Sequence, residues 1–150
     1  MPTLIHRRVL AAQEGRNPTV ICRMSSGWAV LCDSQFLRGY SILLPDPVVL
    51  ELNDLNKIQR MQYLYDMTII GDALLEVTGA YKINYEIMGN LEPALHAQII
   101  PRYLTEPDER RKSPPLFYDR EYRNSMRFDS ERDKELMKEL ASVIQRRSTV

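Results

Sequence analysis

The chain has 150 residues, 44% of them hydrophobic and 27% charged, which suits one compact domain, residues 1–150, with a sizeable core. Its 20 basic and 20 acidic side chains cancel, so no global charge draws it to nucleic acid or to an anionic membrane. Two cysteines, Cys22 and Cys32, exclude a disulfide framework and form no zinc motif, no apolar run approaches the roughly 18 residues of a membrane span, and MPTLIHRRVL lacks the apolar core of a signal peptide. The expectation is a cytoplasmic protein with no metal and no cofactor.

In chain order, TLIHRRVLAAQEG reads as a short helix capped by Thr3 and ended by Gly15, with His6 on its solvated side. TVICRM and WAVLCD flank the turn SSG, a hairpin signal, and GYSILLP supplies a third strand of an antiparallel meander. PDPVVLELNDLN is a connector with room for one helical turn. From Lys57 to Thr78, Tyr63, Met67, Ile70, Leu74 and Val77 recur at helical spacing. Ile58, Met61, Tyr65 and Ile69 are expected to widen that buried stripe, and Gly79 ends the helix. YKINYEIM and ALHAQIIP follow as strands joined by the turn GNLEP. Residues 104–128 are charged, proline-bearing and without period, hence a loop. Residues 129–147 form a last helix with Leu136, Leu140, Val143 and Ile144 on one face. The fold class is α+β: a five-stranded antiparallel sheet, a long helix packed on one face, and N- and C-terminal helices.

One stretch carries chemistry. EPALHAQIIPRY holds one of the two histidines, and strand alternation puts His96 and Gln98 on one face, with Leu95, Ala97 and Ile99 on the other. NYEIMGN…ALHAQIIPRY, preceded by WAVLCD and GYSILLP, resembles the histidine triad (HIT) family of nucleotide hydrolases and transferases over roughly residues 18–103. The family motif is H-φ-H-φ-H-φ-φ, with φ apolar. Here its three histidine positions are Ala94, His96 and Gln98, followed by Pro101 and Arg102.

The resemblance implies that His96 is the nucleophile, that Asp33 takes ribose hydroxyls, and that Asn84 lies at the nucleotide. It also implies a homodimer and a nucleotide-type small molecule as ligand. A glutamine at the third position is similar to the branch of the family that transfers nucleotides.

The residues themselves support the chemistry. A neutral imidazole can attack phosphorus and split one displacement into two. The charge gained by the phosphate oxygens calls for fixed donors. The Gln98 amide is one; backbone N–H groups of the turn at Gly89 and Asn90 are others, since Gly89 allows close approach. Glutamine cannot protonate a leaving group, so phosphate or pyrophosphate is favoured over amines and alkoxides. Three functions stay open: a HIT-like phosphohydrolase or nucleotidyl transferase working through a nucleotidyl-histidine, a catalytically degenerate nucleotide-binding protein, and an interaction protein using its charged tail.

Overall fold

The computed structural model describes residues 2–149, and its elements follow from local sequence. Helix α1 (Leu4–Gln13) begins in a capping box: the Thr3 hydroxyl accepts from the His6 backbone N–H at 3.3 Å, and the Thr3 N–H donates to His6 Nδ1 at 3.2 Å. His6, expected to be solvated, is half-buried and fills the place that Glu or Gln takes in most such boxes.

Strands β1 (Val20–Met24) and β2 (Gly27–Leu31) form the expected hairpin, but its turn is only Ser25–Ser26. Gly27 belongs to β2 and pairs with Met24. A side chain there would collide with the Leu44 carbonyl of β3 (Ser41–Pro45), so glycine permits the approach of the two strands. A 3-10 turn at Leu52–Asp54 leads into helix α2 (Lys57–Thr78). Asn56 caps its start, and Gly79, at φ 73°, ends it in the left-handed conformation. Strands β4 (Lys82–Glu86) and β5 (Ala97–Arg102) complete a five-stranded antiparallel sheet of order β1-β2-β3-β5-β4.

Helix α2 and the last helix, α5 (Lys134–Ser148), cover one face of the sheet. There Ile70, Leu74, Leu140 and Ile144 meet Leu43, Ala97 and Ile99. Helix α1 covers part of the other face, setting Ile5 and Val9 on Val30, Leu44 and Ala94. The buried stripe of α2 is narrower than its sequence suggests. Ile69 is buried, but Ile58, Met61 and Tyr65 are 79%, 62% and 53% exposed. At 100° per residue these three lie on the side of the helix opposite Met67 and Leu74, facing away from the sheet. Asp66 is buried instead, because its carboxylate accepts from the Ser26 N–H and hydroxyl at 2.9 and 2.6 Å and ties α2 to the hairpin turn.

Residues 104–128 are more ordered than a loop. They hold the short helices α3 (Asp108–Arg111) and α4 (Arg120–Arg123), with a 3-10 turn at Pro115–Phe117 between them. The organiser is Arg102, buried at the end of β5. Its guanidinium donates to both Glu106 oxygens at 3.2 and 3.0 Å, to Asn84 Oδ1 at 2.8 Å, and to the carbonyls of Ser113 and Arg110. Helix α5 starts at Lys134 rather than 129, because Asp129 and Asp133 close a turn first: Asp129 Oδ1 accepts from the N–H groups of Glu131 and Arg132, and Asp133 accepts from that of Asp129. Among the described residues no helix is long and apolar enough to cross a membrane.

Candidate functional site

A cavity of about 480 Å³ opens on the sheet face opposite α2. Its floor is a row of side chains crossing the sheet: Val30 pairs with Ile42, Ile42 with Gln98, and Gln98 with Glu86. Its walls are α1, the turn around Gly89 and Asn90, the segment after β2, and part of the C-terminal region, including Leu116 and Arg123.

The alternation of the last strand builds the centre of this cavity. Leu95, Ala97 and Ile99 are buried against α2 and α5, so His96 and Gln98 must face the other way, and both line the cavity. His96 Nδ1 lies 2.9 Å from the Ala94 carbonyl oxygen. A carbonyl only accepts, so Nδ1 carries the proton, and the lone pair of the neutral ring sits on Nε2. Ala94 is fully buried under α1, among Ile5, Val9 and Leu44. An imidazole at position 94 would have to displace that helix.

Gln98 is oriented by Tyr40, whose hydroxyl donates to Oε1 of the amide. Burial raises the pKa of the Tyr40 hydroxyl well above the usual tyrosine range, so it stays a donor. The Gln98 amide nitrogen makes no hydrogen bond to another described residue.

Five charged side chains line the cavity. Arg8 and Asp33 form a two-pronged pair at 3.0 and 2.5 Å, and the Asp33 carboxylate raises the pKa of Arg8 above its usual value. Glu92 accepts from the Leu4 N–H at the start of α1, at 3.2 Å. Glu86 makes no hydrogen bond or ion pair among the described residues. Arg123 donates only through Nε, to the Tyr118 carbonyl at 2.9 Å. Cys32 also lines the cavity, but burial pushes its thiol up to about 11, too high for a nucleophile at neutral pH. Among the described residues no group of three His, Cys, Asp or Glu side chains is placed to hold a metal ion.

Of the residues singled out in the sequence, Asp33, Gly89, Asn90, His96 and Gln98 come together around this one cavity. Gly89 has φ 77°, a left-handed turn that glycine allows. Asn84 shares the sheet face of Gln98, two residues before its partner Glu86, but it is bonded to Arg102 and does not line the cavity. Arg8, Tyr40, Glu86 and Arg123 were missed. Tyr40 and Glu86 were within reach of the alternation argument, as the same-face neighbours of Ile42 and Asn84. Arg8 and Arg123 arrive from elements distant in sequence, and no local pattern marks them.

An antiparallel five-stranded sheet, long helix behind and histidine-bearing cavity in front, defines an α+β protein with its site on the open sheet face. More specifically, the chain has the histidine triad fold. It superimposes on a histidine triad protein from Marinobacter aquaeolei VT8 with a TM-score of 0.74 and 19% identity, covering 96% of this chain and 97% of that one. A histidine triad protein from Bradyrhizobium japonicum gives 0.69 and 23%, covering 83% and 89%. A hypothetical histidine triad nucleotide-binding protein from Sulfolobus tokodaii gives 0.72 and 12%, covering 93% and 92%. No protein-family model and no curated protein matches the sequence.

Proposed function

We propose that this protein is a HIT-like nucleotide phosphohydrolase or nucleotidyl transferase with His96 as its nucleophile. One observation carries the reading: the Nδ1–H bond to the Ala94 carbonyl leaves the lone pair on Nε2 of a histidine that lines the cavity. In the first step Nε2 attacks the α-phosphorus of a nucleoside polyphosphate. An N–P bond forms, the P–O bond to the leaving phosphate breaks, and that phosphate departs with the bonding pair. In the second step water or another acceptor oxygen attacks the same phosphorus, loses its proton, and returns the electron pair to Nε2. The Gln98 amide N–H groups donate to the phosphoryl oxygens as charge develops on them. The turn at Gly89 and Asn90 offers backbone donors beside them, and Asp33, held by Arg8, keeps lone pairs for ribose hydroxyls. Asn84, bonded to Arg102 and outside the cavity, takes no part in these steps.

The same site without turnover is a nucleotide-binding protein, and the lost first and third histidines favour that second reading. Intact-protein mass after incubation with nucleoside polyphosphates separates the two. A nucleotidyl adduct on the wild-type chain, absent from His96→Ala, is the expected result. Nucleotide binding with neither adduct nor turnover would establish the binding protein instead.

We further propose a homodimer. Among the described residues the outer edge of β4 pairs with no strand, and Ile58, Met61, Leu64, Tyr65 and Tyr85 are exposed on or beside α2. The free thiols of Cys22 and Cys32 fit a reducing cytoplasm.

A further inference from the structure

We propose that Arg123, brought to the cavity by the C-terminal segment, is its anion-binding side chain and takes the phosphates beyond the one facing His96. The inference rests on the nucleotide reading above and concerns a residue outside the stretch that resembles the family.

The first argument is charge. Asp33 and Arg8 neutralise each other, and Glu92 serves the start of α1. That leaves two side chains lining the cavity with charges unpaired among the described residues, Arg123 and Glu86. Arg123 commits only Nε, so both terminal nitrogens of its guanidinium remain as donors, in the fork that matches a phosphate.

The second argument is placement. Tyr40 immediately precedes Ser41, which pairs with Ile99, so Tyr40 enters on the side of Gln98 remote from His96. The Cys32 N–H donates to the Tyr40 carbonyl at 2.8 Å, and the hydroxyl of Ser34, two residues on, donates to the Arg123 carbonyl. Tyr40 and the Arg123 backbone thus both lie toward the Gln98 end of the cavity. Gln98 is already about 7 Å beyond His96 along an extended chain. A ligand with a phosphate at His96 has to extend past Gln98 to reach Arg123.

The third argument is rigidity. The Ser34 hydroxyl donates to the Arg123 carbonyl, the Gln35 N–H to the Met126 carbonyl at 2.7 Å, and the Phe128 N–H to the Asp33 carbonyl at 2.8 Å. Asp119 caps α4, and the Tyr118 and Tyr122 rings stack at 5.0 Å against Phe36. The guanidinium is thus presented by a fixed backbone.

The test is calorimetric binding of adenosine, guanosine and their mono-, di- and triphosphates to the wild type, Arg123→Gln, Arg123→Lys and Glu86→Gln. Wild-type affinity should rise with phosphate number. Arg123→Gln should lose about tenfold or more for di- and triphosphates, the scale of a charged hydrogen bond. It should keep wild-type affinity for the nucleoside and a wild-type melting temperature. Arg123→Lys should retain part of the gain, and Glu86→Gln should bind triphosphates more tightly.

Wild-type triphosphate affinity in Arg123→Gln overturns the proposal. So does an equal loss for nucleoside and triphosphate, which would make Arg123 a base contact or a strut for the tail. A wild type that binds nucleosides and monophosphates but gains nothing from further phosphates overturns this inference alone. A wild type that binds none of them overturns the nucleotide reading and this inference with it.

Discussion

His96 and Gln98 are two residues apart at the start of β5 and face the same cavity, and their partners divide the chemistry between them. The Ala94 carbonyl fixes the tautomer of the histidine, and the Tyr40 hydroxyl fixes the orientation of the amide. What this pair lacks is a proton donor for a poor leaving group. Gln98→His should therefore raise turnover of nucleotides with amine or alkoxide leaving groups by about two to four orders of magnitude, the usual worth of a general acid. Turnover of substrates that release pyrophosphate should change little. Steady-state rates on the two substrate types check this. An equal gain on both, or none on either, would show that leaving-group protonation is not what limits the site.

Among the elements, the segment after β5 depends on a single buried ion pair. Glu106 accepts from Arg102 through both oxygens, from the Tyr103 N–H and from the Tyr118 hydroxyl. Burial alone would raise its carboxyl, but these bonds outweigh burial and hold its pKa below the usual 4.5. Glu106→Gln leaves the Arg102 charge buried and half-partnered, which costs about 3–5 kcal/mol. The pH dependence follows from the sign of the shift. A depressed carboxylate contributes fully above its unfolded value of about 4.5 and loses that contribution as pH falls through the lower folded value. Urea unfolding between pH 7 and 3 should show a large wild-type advantage over Glu106→Gln at pH 7 that shrinks below about pH 4.5. A gap independent of pH would mean that the carboxylate charge is not what holds the segment.

For the whole molecule, the described residues of one chain leave β4 open along its outer edge and an apolar stripe on α2 facing solvent. Light scattering should give twice the 17.5 kDa chain mass, and Met61→Glu, a charge in the middle of that stripe, should shift it toward the monomer. A monomeric wild type at micromolar concentration would remove the dimer. The stripe also explains why periodicity misassigned Ile58, Met61 and Tyr65. A 3.6-residue period counts apolar side chains without saying which side of the helix the sheet lies on. The narrower core side is set by Tyr63, Met67, Ile70 and Leu74 together with the buried Asp66.

Local chemistry by itself determined the strands, the 57–78 helix with its Asn56 and Gly79 ends, and the opposed faces of His96 and Ala97. Each of these depends on residues within a few positions of one another, through capping, turn preference and the two-residue period of a strand. Tertiary structure alone decided that α1 buries Ala94, that Asn84 is bonded to Arg102, and that Tyr40 holds Gln98. It alone brought Arg8 and Arg123 to the cavity that His96 lines. These contacts join residues 18 to 89 positions apart, as between Arg102 and Asn84 or between Ser34 and the Arg123 carbonyl. Their partners are chosen by how the sheet, α1 and the C-terminal segment pack, and no short-range pattern of residues encodes that packing.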